Sequence, residues 1–122
     1  MTKLPPGECV QLQKDYRVYK AVQTAEGATV LEMTAPSGSR VVVTEEESRN
    51  PSHVRCEKVI PEYFENGETD GQAPVTKNKR YSVGISVRAE DFDPSPENPS
   101  TGGIHCFLEK EAAKKWKEQA DI

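Results

Sequence analysis

Gly102-Gly103-Ile104-His105-Cys106-Phe107-Leu108, running on into Glu111-Ala112-Ala113, decides the fold. Two glycines, which let the chain bend or approach a neighbour closely, open onto a short β-type run that feeds directly into a helix. Leu108, Ala112, Trp116 and Ala120 recur every four residues, the spacing of one helix face, and Glu111 with Lys115 forms an i,i+4 pair on the solvent side. Trp116 is expected to anchor this helix, the only one the sequence supports, onto a sheet.

The rest of the chain reads as strands and turns. Tyr16, Val18 and Lys20 alternate with Arg17, Tyr19 and Ala21, and Val22 follows, which describes a strand rich in aromatic and β-branched residues. Ala25-Glu26-Gly27 turns the chain into a second strand with Thr29, Leu31 and Met33 on one face. Ala35-Pro36-Ser37-Gly38 then supplies turn chemistry before a third strand at Val41-Val42-Val43, and these two strands are expected to form a hairpin. Residues 44–47 support at most a single helical turn, because Asn50-Pro51 arrives before any apolar run. Residues 53–60 read as a fourth strand closed by Pro61. Residues 65–79 hold turn dipeptides and almost no apolar side chain, so an exposed loop is expected there. Tyr81, Val83, Ile85 and Val87 alternate strictly with polar residues and glycine and predict one half-buried strand. Pro94, Pro96 and Pro99 make residues 91–103 a long stiff loop before residues 104–107 return to the core.

The expected fold is therefore α+β: a mainly antiparallel, twisted sheet of five or six strands covered by one C-terminal helix. At 122 residues the chain fits one domain, placed at residues 15–122 behind an extended, flexible lead-in over residues 1–14. With 34% hydrophobic and 30% charged residues, the core has to be modest and the surface well solvated.

A net charge of −4 without a basic stripe argues against nucleic acid as a partner, since phosphate binding needs clustered Lys and Arg. Lys110, Lys114, Lys115 and Lys117 are interleaved with Glu109, Glu111, Glu118 and Asp121, the pattern of a solvated helix face. No apolar run is long enough for a signal peptide or a bilayer span, and three cysteines make an odd, sparse set that fits a reducing compartment. A cytoplasmic protein with no membrane partner is expected.

His53, Cys56, His105 and Cys106 are residue types that zinc accepts. Adjacent residues on a strand point to opposite faces, so His105 and Cys106 do not converge, and neither a metal nor a cofactor is expected. Cys56 and Cys106 read as small buried hydrophobes. His105 reads as a histidine tying a loop to the core through its ring N–H, with an acid, base or donor role as the alternative. The chain contains no nucleophile elbow, P-loop, dinucleotide fingerprint or zinc-protease motif, which lowers the case for an enzyme. Asp91, Asp93, Ser95 and Glu97 imitate half a calcium loop, but Pro96 stands where the sharp-turn glycine belongs.

Tyr81-Ser82-Val83-Gly84, Glu90-Asp91-Phe92-Asp93, Gly103-Ile104-His105-Cys106-Phe107-Leu108 and Glu111-Ala112 together resemble an uncharacterised domain family of large double-stranded DNA viruses, some members of which lie beside pentapeptide repeats. Ala35-Pro36-Ser37-Gly38-Ser39-Arg40 and Arg55-Cys56-Glu57-Lys58-Val59 extend the resemblance over residues 16–118. Ser100 stands where that family tends to have Cys, and Cys106 where it tends to have Phe, which speaks against a metal or redox role built on a paired cysteine. The resemblance implies no established activity. A looser likeness to ADP-ribosyltransferase-type folds points to Tyr81, His105 and Glu109.

Two functions follow as expectations. The first is a non-catalytic interaction module that presents residues 65–79 and 91–102 to a host or viral protein. The second is a small enzyme or nucleotide- or ligand-binding domain with a pocket near Gly84 and Gly103, whose glycines let a ligand approach the backbone. Its candidate ligand-binding residues are Tyr81, Gly84, Gly103, His105 and Glu109.

Overall fold

The computed structural model describes residues 7–43, 53–73, 79–95 and 102–119. The expected turn at residues 44–47 and the Ala120 position lie outside them, as do residues 74–78 and 96–101 of the two polar loops. The elements run β1 (Glu8–Gln11), β2 (Tyr16–Thr24), β3 (Gly27–Ala35), β4 (Arg40–Val43), β5 (His53–Cys56), β6 (Lys58–Phe64), β7 (Asp70–Gln72), β8 (Arg80–Ser82), β9 (Val87–Arg88), β10 (Ile104–Phe107) and α1 (Lys110–Gln119). All pairings among them are antiparallel, in the order β1-β4-β5-β10-β2-β3-β6-β9, with β7 attached to β2 and β8 to β7.

The α+β class and the C-terminal helix stand, but among the described residues the sheet has ten strands where five or six are expected. Four causes account for the difference. The stretch expected as an extended lead-in contains β1, paired with β4 and followed by the buried Leu12. The run at residues 53–60 breaks at Glu57, a corner whose N–H bonds the Arg40 carbonyl while its own carbonyl accepts from Ala89. The loop expected at residues 65–79 contains β7, in which Gly71 sits so close to Phe64 and the Gln23 carbonyl that a Cβ would come within 3.0 Å of both. Finally, the alternation from Tyr81 to Val87 is not one strand. Gly84 takes a φ of +83° and turns the chain between β8 and β9, so Tyr81 is buried while Val83 and Ile85 are exposed.

The expected β3–β4 hairpin is also corrected. β2 and β3 form the hairpin, in register from Tyr16↔Ala35 to Thr24↔Gly27. The turn after β3 carries the chain across the sheet, so that β4 lies between β1 and β5. Leu12 holds that turn through bonds from its N–H to the Ser39 carbonyl and from the Gly38 N–H to its own carbonyl. Pro61 does not close a strand: it sits inside β6, at the bulge opposite Glu32 and Met33, where the ladder is already irregular.

Helix α1 covers one face of β2, β3 and β10, where Ala112 and Ala113 pack with Val30 and Phe107, flanked by Tyr19 and Trp116. Lys110 fastens its first turn by ion pairs of 3.5 Å to Glu32 and 3.3 Å to Glu65. Leu108, expected on the same stripe, joins the main core instead. That core lies on the opposite face and draws Val18, Val22, Leu31, Met33, Val41, Val54, Cys56, Val59, Phe64, Tyr81, Ile104 and Cys106 from nearly every strand. Ala73, Tyr81 and Ala89, from the segment between β7 and the end of β9, join this core.

Candidate functional site

Strand β2 has one continuous edge and one broken edge. On the broken side β10 meets it at Tyr19↔Phe107 and β7 meets it at Gln23↔Gln72, with no ladder pair between. The sheet forks there. In the fork lies a cleft of about 510 Å³ lined by Lys20, Ala73, Lys79, Tyr81, Arg88, Glu90, Asp91, Gly103, Ile104 and His105.

Lys20 occupies the throat. The period of β2 puts its side chain on the inner face between Val18 and Val22, both buried. Its Nζ donates to the His105 carbonyl at 2.8 Å, and among the described residues no carboxylate lies within ion-pair distance of it. Burial lowers the Lys20 pKa from the ordinary lysine value, partly offset by the nearby thiols of Cys106 and Cys56. Tyr81 faces the same space at 1% exposure. Burial pushes its phenol up, so it stays protonated, and its hydroxyl makes no hydrogen bond to a described residue. Lys79, Arg88, Glu90 and Asp91 complete the lining, giving with Lys20 a mixed field with one positive charge in excess.

Behind the cleft, Arg55 fixes the loop that forms its wall. The residue is 0% exposed, yet among the described residues no carboxylate lies within ion-pair distance of its guanidinium, and the charge of Asp93 acts on it only from further off. Nη1 donates to the carbonyls of Asp93 at 2.7 Å and Gly102 at 2.9 Å, Nη2 donates to the Ser95 carbonyl at 2.7 Å, and Nε has no partner among the described residues. The loop neck is closed further by the Asp93 N–H on the Gly102 carbonyl. No side chain fits at position 102, where a Cβ would come within 1.9 Å of the Asp91 carbonyl oxygen.

The four zinc-type residues divide between the two sheet faces. Register places Cys106 opposite Val54 and Cys56 opposite Ile104, putting both thiols in the core within hydrogen-bonding reach of each other. Cys56 is raised well above its usual range, first by this contact with Cys106. Burial raises the Cys106 thiol, but the Cys56 hydrogen bond and Lys20 outweigh it and leave Cys106 lowered. On the other face the His53 and His105 rings stack at 5.0 Å and share a 3.0 Å Nε2···Nδ1 hydrogen bond, with Phe107 edge-on to His53. Burial, then the charges of His105, Lys20 and Arg55, lower His53 to about 3. Among the described residues no group of three or more possible metal ligands converges.

Of the residues expected at a site, Tyr81, Gly103 and His105 meet in the cleft. Gly84 does not: it lies in the β8–β9 turn, with its N–H on the Pro61 carbonyl and open space where a Cβ would stand. Glu109 is exposed just before α1 and does not line the cleft. Lys20, Lys79, Arg88, Glu90 and Asp91 were not anticipated. Lys20 alone carried a signal, as the one charged residue on the apolar face of its strand.

Among the described residues, no helix is long and apolar enough to cross a membrane. Residues 8–113 match the model of a family of unknown function, DUF5758. No curated protein and no solved structure matches the chain.

Proposed function

The chain belongs to the DUF5758 family, whose function is unknown, and we propose that it binds a small anionic molecule in the cleft at the β2 fork. The observation that carries this reading is Lys20, a desolvated amine in an interior gap of the sheet with a backbone carbonyl, and no carboxylate, as its described partner. Burying an ammonium without a counter-charge costs stability, and an anionic ligand would offset that cost. Lys79 and Arg88 supply further positive charge at the lining, while Glu90 and Asp91 disfavour a polyanion. The volume, about 510 Å³, falls within the range of small-molecule sites.

Native and denatured mass spectra of the purified protein, recorded beside Lys20→Met, test this. A small molecule carried by the native wild type and lost from the folded variant supports the cleft. Equal retention by both proteins would place the ligand elsewhere.

A second reading is an interaction module that captures a host or viral protein inside a cell, in keeping with the resemblance to a virus-associated family. It is favoured by three large apolar side chains left in solvent, Tyr63 at 53%, Val83 at 42% and Ile85 at 63% exposure. The Gly84–Pro61 hydrogen bond brings the two segments that carry them together. Ile85→Asp should abolish partner capture without unfolding the domain, and undiminished capture would remove this face as the contact.

A further inference from the structure

We infer that Lys20 is an imine-forming amine and that the cleft takes a small carbonyl compound bearing one carboxylate, the chemistry of a 2-oxo acid. This rests on the reading of the cleft as a ligand site and names the class of ligand.

Three features point the same way. The bond from Lys20 Nζ to the His105 carbonyl holds the amine in one place, and no described carboxylate keeps it charged. A half-buried lysine with its amine turned inward presents its neutral, nucleophilic form more readily than a surface lysine, and the lowered pKa of Lys20 agrees. Second, the Tyr81 hydroxyl lines the same cleft, protonated and without a described partner, so it can donate to the carbonyl oxygen of a bound ligand. Third, Arg88 is tied to Glu57 only at 3.8 Å, which leaves its guanidinium able to take a carboxylate, and Lys79 lines the same cleft. Glu90 and Asp91 in the same lining select against phosphates and other multiply charged groups.

The step balances without a co-reactant. The Lys20 nitrogen forms a bond to the carbonyl carbon, and a proton passes from nitrogen to oxygen to give a carbinolamine. Tyr81 donates a proton to the departing hydroxyl and recovers one from the nitrogen. The carbonyl oxygen thus leaves as water with both amine protons, and a C=N bond remains.

The test is reductive trapping. Wild type, Lys20→Arg, Tyr81→Phe and Arg88→Gln are incubated with pyruvate and sodium cyanoborohydride near neutral pH, and the adduct is located by peptide mass mapping. Saturation-transfer NMR of pyruvate is recorded on the same proteins, with circular dichroism as the folding check. The inference expects a reduced adduct on Lys20 in preference to the exposed lysines. It expects none at that site in Lys20→Arg, and trapping about tenfold or more slower in Tyr81→Phe, the scale of a lost proton donor. Adducts spread over the lysines according to exposure would overturn it. Pyruvate binding that depends on Arg88 but leaves no adduct on Lys20 would overturn the imine while keeping the cleft as a ligand site. Neither binding nor trapping would overturn both for this ligand class.

Discussion

Along one edge of β2 every residue from Tyr16 to Thr24 is in register with β3, whereas along the other edge β10 meets the strand only at Tyr19 and β7 only at Gln23. The paired edge belongs to an ordinary hairpin whose inward side chains, Val18, Val22, Leu31 and Met33, are fully buried. The forked edge gathers the unusual chemistry: the desolvated lysine, the phenol without a described partner and, across the sheet, the buried arginine and the stacked histidines. A continuous ladder satisfies its backbone from within and leaves apolar faces to pack. A ladder that changes partner midway leaves a gap that side chains must fill, and here polar ones fill it.

The sharpest way to break this contrast is at Arg55, because its guanidinium holds the carbonyls of residues 93, 95 and 102 beside the cleft by side-chain bonds rather than by a ladder. Arg55→Ala removes three hydrogen bonds from a charged donor and leaves the Asp93, Ser95 and Gly102 carbonyls without it. A loss of about 3–5 kcal/mol is expected in urea denaturation. Arg55→Lys should recover only part of it, since an ammonium lacks the planar fork that reaches three carbonyls. If Arg55→Ala costs no more than a surface substitution, the wall is held by something else.

The next effect is a pH dependence on the β5–β10 side. His53 is held at about 3 in the fold, below the roughly 6.5 of an unfolded histidine. A depressed folded pKa means that the contribution of the neutral ring is complete above about pH 6.5 and is lost as pH falls from there toward 3. Allowing for the ring's partial exposure, the loss should amount to about 2–4 kcal/mol, and His53→Gln should flatten that part of the profile. An unchanged acid limb in the variant would assign the sensitivity to other groups.

Smaller again is the effect of Gly71→Ala on the other arm of the fork. The new methyl would meet the Phe64 ring at 2.9 Å and the Gln23 carbonyl at 3.0 Å, costing about 1–3 kcal/mol by overpacking. Amide exchange should quicken in β7 and β8 and stay slow in the β2–β3 ladder. Equal acceleration in both would mean that the two edges unfold as one unit.

What the sequence makes legible follows the same division. Alternation in β2 and the strand-to-helix run from Ile104 into α1 are local patterns, and both elements form where they are expected. Cys56 and Cys106 pack as small buried groups, as their type suggests. Strands β1 and β7 escape because their ladders join distant segments, residues 8–11 with 40–43 and Gln72 with Gln23, while their own side chains carry no apolar period. The alternation from Tyr81 to Val87 misleads because a turn at Gly84 leaves the pattern intact while reversing exposure along it. Tyr81 and His105 come from the looser fold likeness and Gly103 from the room a glycine leaves a ligand, and these three line the cleft while Gly84 and Glu109 do not. Lys79, Arg88, Glu90 and Asp91 were not legible, since nothing separates a charged residue facing a cleft from one facing bulk solvent until the fork is known.

The smallest expected effect tests whether surface charge contributes to the fork at all. Arg80 pairs with Asp70 across β7 and β8, and Asp70 also accepts from the Ser82 hydroxyl at 2.9 Å. The Arg80 hydrogen bond, followed by that of Ser82, lowers the Asp70 carboxyl below its ordinary value. Both members of the ion pair are well exposed, however, with side chains 62% and 46% accessible, so solvent and salt screen the attraction. Arg80→Gln should therefore change stability by less than about 0.5 kcal/mol, with little difference between low and high salt. The β7–β8 hairpin would then depend on its backbone pairs and on Tyr81 beneath it, which is 1% exposed. A larger, salt-sensitive loss would show that charge on the outer surface holds this arm in place, and the forked edge would owe its geometry to electrostatics on both sides of the sheet.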